Sequence, residues 1–163
     1  MGIEAGKAYA SKLRLGRSKN TPTNSLLNAA AHYDVSNDMF AAFLSKDMTY
    51  SCPIWRSAGL DGITNGVETL EDAQQTKLLR SIEGAKLKAS DHFLEIGTGW
   101  GSFAIEAVKR TGCRVTTITL SRKQLELAQH GIKLTGLGHR IEVRFMDYRE
   151  LFVSAETFDK MSR

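Results

Sequence analysis

Apolar and polar positions repeat with two different periods along this chain, and the changes of period mark its elements. His92 to Ile96 (HFLEI) is a short, mostly apolar run that ends on glycine, which predicts a strand. Three glycines follow at alternate positions, Gly97, Gly99 and Gly101. Phe103 and Ala107, and Ala104 and Val108, are then spaced four apart, as on one face of a helix. Gly112 stands where a left-handed cap ends such a helix. Arg114 to Thr119 is rich in β-branched residues and predicts a second strand. Ser121-x-x-Gln124 has capping-box spacing, Leu125, Ala128 and Ile132 share the face of the helix it opens, and Gly136 and Gly138 end that helix. Ile141, Val143 and Phe145 alternate as a third strand, and Phe158 to Met161 starts a fourth. Strand, glycine turn, helix and strand in this order are the start of a doubly wound α/β sheet.

Upstream the pattern is helical and less regular. Asn24 or Ser25 caps a short predicted helix through Ala31, and His32-Tyr33-Asp34 interrupts it. Ser36 is a second cap, with Met39, Phe40, Phe43 and Leu44 as the apolar face behind it. Residues 46–55 (KDMTYSCPIW) read as an irregular, aromatic-rich segment in which Pro53 argues against a central strand. Residues 56–67 carry three glycines, Gly59, Gly62 and Gly66, and read as a loop. Thr69 caps a helix bearing Leu70, Ala73, Leu78 and Ile82, and residues 84–91 link it to the first strand.

Composition changes this picture little. The chain has 163 residues, 42% hydrophobic and 25% charged, enough for one domain with a real core. The net charge of +4 is concentrated at the front, where Lys7, Lys12, Arg14, Arg17 and Lys19 face only Glu4. That arm leaves several readings open: a solvated tail, contact with anionic lipid or nucleic acid, or a transit peptide. Cys52 and Cys113 form neither a metal nor a disulfide pattern, so a reducing, cytoplasmic setting is expected. No apolar run approaches membrane-spanning length.

The glycine turn carries the candidate chemistry. Glycines let a ligand approach the backbone, and the following helix offers free N–H groups and the positive end of its dipole. A nicotinamide-binding turn would place its third glycine one residue later and end the second strand on Asp or Glu. This chain has Thr119-Leu120-Ser121 there. S-adenosylmethionine fits better, because it is cationic and Glu95 supplies a nearby charge; the alternative is that Glu95 only hydrogen-bonds the turn.

Several blocks together make the resemblance specific. They are His32-Tyr33-Asp34 with Ser36-Asn37-Asp38 and Phe40, Met48 to Cys52, Leu70 to Leu78, Leu94 to Gly101, and Thr119-Leu120-Ser121 with Gln124. In these the chain resembles the cyclopropane-fatty-acyl-phospholipid synthases, including the mycolic acid cyclopropane synthases. The resemblance implies a Rossmann-like, class I S-adenosylmethionine-dependent methyltransferase that transfers a methyl group to a double bond in a lipid acyl chain. Here that would be the N-terminal half of the sheet, preceded by a helical lid. The chain divides into a basic tail (1–23), a helical lid and substrate-side segment (24–89) and a partial cofactor-binding domain (90–163).

Further roles follow from the resemblance alone. Tyr50 and Ser51 would contact S-adenosylmethionine. Glu95, Gly97, Thr98, Gly99, Trp100 and Gly101 would wrap its methionine part. Thr119, Leu120, Ser121 and Gln124 would take the ribose and adenine side, and Asp147 and Tyr148 would flank the adenine. Cys52 would be catalytic, helping to hold a bicarbonate ion that removes a proton as the ring closes; the bland alternative is a buried small hydrophobe. His32 and Tyr33 would pack on the lid, Cys113 in the core, and Trp55, Phe40 and Phe43 in the core or acyl-pocket wall. The partner implied is the acyl chain of a membrane phospholipid, reached peripherally, and no nucleic acid.

The chain departs from the family in breaking off at Arg163, inside the expected fourth strand. The sequence therefore reads as a fragment, a truncated isoform or an incomplete gene model, inactive alone. Its unpaired sheet edge would invite oligomerisation. Two other readings stand beside this one: a non-catalytic remnant that keeps cofactor binding or a partner surface, and a methyltransferase for another substrate, such as a sphingolipid.

Overall fold

The computed structural model describes residues 21–33, 37–56, 68–153 and 156–162. The basic arm at 1–20, Asp34, the Ser36 cap and the 57–67 loop lie outside the described residues. The elements are α1 (Pro22–Tyr33), α2 (Asn37–Ala41), α3 (Leu70–Gly84), β1 (His92–Ile96), α4 (Ser102–Thr111), β2 (Arg114–Thr119), α5 (Arg122–Leu134), β3 (Ile141–Phe145), a 3₁₀ turn (Tyr148–Val153) and β4 (Lys160–Ser162).

The four strands are parallel, in the order β3-β2-β1-β4. β1 and β2 lie in the middle and are buried almost throughout, as parallel strands covered on both faces are. Register puts Phe93 beside Val115 and Val115 beside Ile141, an apolar row across three strands. Ala104, Ala107 and Val108 of α4, Ile132 of α5 and Ile82 of α3 pack in the same cluster, with Cys113 in the core as expected. Burying Phe93 alone contributes about 1.5–3 kcal/mol. Two residues further along each strand, the same face holds Glu95, Thr117 and Val143 side by side. On β1 and β2 that face thus turns from apolar to polar as the strands reach their carboxyl ends.

Local signals explain the helix ends. Thr69 and Asp72 form a full capping box at α3, worth about 1 kcal/mol. Gly112 ends α4 at φ +73, with its N–H on the Val108 carbonyl. At α5 the Ser121 hydroxyl accepts from the Gln124 N–H, but Gln124 does not reach back to Ser121. Its Oε1 accepts from Thr119 Oγ1 at 2.9 Å instead, so the expected box is half a box.

Other expectations need correction. α1 begins at Pro22, not after Asn24 or Ser25, and runs on to Tyr33 through the expected break at His32. Thr21 Oγ1 accepts from the Asn24 N–H, and Pro22 sits in the first turn, where a missing N–H costs nothing. Only Phe40 of the expected α2 face is fully buried; Met39, within α2, is exposed, and so is Phe43, which lies in the turn beyond the end of α2 at Ala41. β4 is set two residues later than Phe158, and the Phe158 ring stacks on His92, 4.6 Å between centroids.

Candidate functional site

A cleft of about 770 Å³ opens at the carboxyl ends of β1 and β2, where a parallel sheet of this kind binds ligands. Its floor is residues 95–100 and 118–121. α1 contributes Ser25, Asn28 and Ala29, the irregular segment contributes Met48 to Ser51, and α3 contributes Lys77, Leu78 and Ser81. Ser102 and Phe103 at the start of α4, Gln124, Met146 to Arg149 and Ser162 complete it.

The glycine turn is held from beneath. The N–H groups of Gly97 and Thr98 both donate to the Ile118 carbonyl, at 2.9 and 3.1 Å, and Gly101 N–H donates to Thr98 at 2.9 Å. The Thr98 and Thr117 hydroxyls share a 2.7 Å hydrogen bond. Gly97 and Gly99 have φ of +97 and +54, and a Cβ on either would meet no protein atom within 4 Å. The space over them is open for a ligand, and the left-handed backbone is what requires glycine. Gly101 differs. Its Cβ would lie 3.4 Å from that of Ala128, and it does not line the cleft, so it serves the packing of α4 against α5.

An aromatic wall stands on one side. Phe40 packs on Trp100 at 5.0 Å and on Tyr50 at 5.4 Å between ring centroids. Trp100 Nε1 donates to Asn37 Oδ1 at 2.9 Å, which ties α2 to the turn. Gln74 Nε2 donates to the Ser51 carbonyl at 2.7 Å and to that of Thr49 at 3.3 Å, which fastens the irregular segment to α3.

Glu95 is the electrostatic centre. Its side chain is buried, and Oε2 has no hydrogen-bond partner among the described residues. Burial pushes its carboxyl up to about 8, against smaller opposing pulls from the Thr117 hydroxyl and the Lys77 charge. A buried acid with a free oxygen in a ligand-sized cleft lacks a partner that a cation would supply.

The other expected residues divide. Tyr50, Ser51, Thr98, Trp100, Thr119, Leu120, Ser121, Gln124, Asp147 and Tyr148 all line the cleft with Glu95, Gly97 and Gly99. Thr119, Ser121 and Gln124 form a buried hydrogen-bonded ring at the end of β2. Asp147 is taken up by Arg149, whose Nε donates to Oδ1 at 2.7 Å and Nη2 to Oδ2 at 2.5 Å, and this holds the Asp147 carboxyl below its ordinary range. The Arg149 guanidinium also donates to Ser25 Oγ, at 2.5 Å, and so fastens α1 over the cleft. Cys52 is exposed and outside the cleft lining, so it is not the buried hydrophobe of the bland reading. Lys77 is close enough for its charge and that of Cys52 to act on each other. Trp55 and Phe43 are about half exposed rather than core.

Lys77, Asn28, Ser81 and Arg149 line the cleft and were not singled out from the sequence. Lys77 had a signal. It stands three residues after Gln74 and next to Leu78, on the buried side of α3.

The pattern of one family, described as mycolic acid cyclopropane synthetase, matches residues 20–163. The chain belongs to that family. It is 43% identical over 124 residues to tuberculostearic acid methyltransferase UfaA1 of Mycobacterium tuberculosis, covering 76% of this chain and 29% of the relative. It is 34% identical over 120 residues to the cyclopropane-fatty-acyl-phospholipid synthase of Escherichia coli, covering 74% and 28%. The chain thus spans less than a third of the length of these relatives. Mycolic acid cyclopropane synthase CmaA1, solved in complex with SAH and CTAB, superposes with a TM-score of 0.72 at 26% identity, covering 83% of this chain and 44% of that one. The fold is the N-terminal part of a class I S-adenosylmethionine-dependent methyltransferase. No helix among the described residues is long and apolar enough to cross a membrane.

Proposed function

We propose that this chain forms the S-adenosylmethionine-binding part of a methyltransferase that acts on unsaturated acyl chains of membrane lipids. The observation that carries the proposal is the cleft, with a buried, half-satisfied Glu95 beside two open left-handed glycines. The names of the relatives, a tuberculostearic acid methyltransferase and a cyclopropane-fatty-acyl-phospholipid synthase, support a lipid substrate. When bound, the cofactor supplies an electrophilic methyl group. The residues that would orient it are the turn backbone under its methionine part, Glu95 at its ammonium, and the Thr119–Ser121–Gln124 ring on the ribose and adenine side.

An alkene is a poor nucleophile, so transfer needs water excluded and the reactants held in contact. Phe43 and Tyr50, on the aromatic wall, remain about half exposed. We read residues 1–163 as binding the cofactor without completing transfer on their own. The lipid substrate also motivates an expectation for the basic arm: peripheral binding to anionic vesicles that weakens as salt shortens the screening length from ~10 Å at 0.1 M to ~3 Å at 1 M.

Calorimetric titration with S-adenosylhomocysteine tests the reading. Saturable one-site binding by the folded chain is expected, and no heat from a chain that circular dichroism shows to be folded would overturn it. Incubation with labelled S-adenosylmethionine and unsaturated phospholipid vesicles tests the second part. Labelled lipid above a heat-killed control would show that these residues transfer unaided.

A further inference from the structure

We infer that Lys77 is a positioning residue that binds the α-carboxylate of the cofactor's methionine part, so that Lys77 and Glu95 together recognise an amino-acid zwitterion. The inference rests on the cofactor reading above and deepens it.

Three observations carry it. First, α3 turns one face to the cleft, on which Lys77, Leu78 and Ser81 lie at successive helical spacings. Second, the Lys77 ammonium hydrogen-bonds the hydroxyl of Ser51, on the segment that Gln74 fastens at its carbonyls. That bond holds the ammonium at the cleft wall, between α3 and the 49–51 segment. An ammonium carries three donors, and one hydroxyl does not use them. Third, Glu95 lines the same cleft with Oε2 unpartnered, close enough for the two charges to act on each other, though more weakly than Asp47 and Cys52 act on Lys77, and no ion pair joins Lys77 and Glu95 within 4.0 Å. Two opposite charges that face one space without closing on each other present a positive and a negative site to whatever enters it.

Charge balance decides which ligand group meets Lys77. The cofactor carries a sulfonium, and a bare lysine near it would repel it. An α-carboxylate between the two removes that repulsion and meets the lysine in a charge-assisted hydrogen bond. Glu95 then takes the ammonium. Burial depresses Lys77 from its ordinary value and raises Glu95, so each gains from an arriving partner of opposite charge.

The test compares two ligands that differ at this end alone. S-adenosylhomocysteine has the amino-acid zwitterion, and 5′-methylthioadenosine lacks it. By calorimetry, Lys77→Gln should weaken S-adenosylhomocysteine at least ~10-fold and leave 5′-methylthioadenosine unchanged, and Lys77→Arg should restore most of the loss. An equal loss for both ligands would mean that Lys77 only holds the 49–51 segment, and would overturn the inference. So would no loss for either. Wild-type chain that binds neither ligand would overturn the cofactor reading itself, a result distinct from both. Circular dichroism on each variant separates lost binding from lost folding, and the arginine variant keeps the test open should the glutamine variant not fold.

Discussion

Strand β1 carries a buried ionisable side chain near each end, and the two are treated oppositely. His92 and Glu95 are equally hidden, each 7% exposed. Arg114 Nη2 donates to His92 Nδ1 at 2.8 Å, and since a guanidinium only donates, Nε2–H must donate to Thr116 Oγ1, also at 2.8 Å. Phe158 covers the ring, and Asp159 Oδ2 accepts from the His92 backbone N–H at 2.7 Å. Every polar atom of that histidine is matched. Glu95, three residues on, keeps an oxygen with no partner. Burial shifts both groups toward their neutral forms, His92 downward and Glu95 upward. The shifts alone do not separate structure from function. The unmatched oxygen does, because it belongs to an acid that lines the cleft; the other buried acceptors without a partner among the described residues, Asn28 Oδ1 and Gln74 Oε1, are neutral amide oxygens.

Glu95→Gln should break the comparison most. The folded-state value is raised, so the stability it contributes is fully present below the ordinary range of the acid and is lost as pH rises through about 8. The amide removes that loss. The variant should be more stable than the wild type by on the order of 4 kcal/mol near pH 8 and match it near pH 4. Its affinity for S-adenosylhomocysteine should fall at least ~100-fold. Denaturant melts at the two pH values, with calorimetry, check both halves. An equal stability change at both pH values would show that burial of the acid is not the cause.

Two glycines sharpen the same contrast. Gly99 and Gly136 have φ of +54 and +72, and a side chain on either meets no protein atom within 4 Å. Valine at either position should therefore cost a similar ~1–2 kcal/mol of backbone strain. Only Gly99→Val should also abolish ligand binding, because only Gly99 faces the cleft. Thermal melts and titrations of the pair measure strain and occupancy separately.

His92→Gln is the converse of the Glu95 change. It leaves Arg114 or Thr116 without a matched partner, at a cost of about 1–2 kcal/mol, and ligand affinity should not move. A loss of affinity would show that the two ends of β1 are coupled.

The smallest effect is a pH slope. The His92 value is depressed by burial and by Arg114, with Arg144 adding to this and Glu156 and Asp159 opposing it. Its stability is present above the ordinary histidine range and is lost as pH falls through the folded value. That contribution should therefore decline from about pH 6.5 downward; in the Glu95→Gln background, which removes the opposite slope of the acid, stability should fall there with His92 present and be flatter with His92→Gln. Asp91, Glu142 and Glu156, held ionised by Lys160 and Arg144, give way only at lower pH. Melts at half-unit steps from pH 5 to 7 resolve the two windows.

What was legible in the sequence is what neighbours along the chain decide. The bounds of β2, the Thr69 cap and the Gly112 stop each depend on residues within about four positions. The glycine turn was legible for the same reason: left-handed backbone needs glycine wherever the turn lies. The start of α1 is just as local: Pro22 is a first helical residue rather than the end of the tail that its basic neighbours suggest.

Other features belong to contacts far apart in sequence. Which of Glu95 and Asp147 keeps a free oxygen depends on Arg149 reaching Asp147 and no side chain reaching Oε2 of Glu95. That Gln124 spends its carbonyl on Thr119, and that Lys77 shares a cleft with Glu95, follow from how α5 and α3 meet the sheet. Backbone conformation and capping are local energies that a short stretch of sequence specifies. Whether a buried polar atom is satisfied is a sum over everything packed around it, and only the assembled tertiary structure decides that sum.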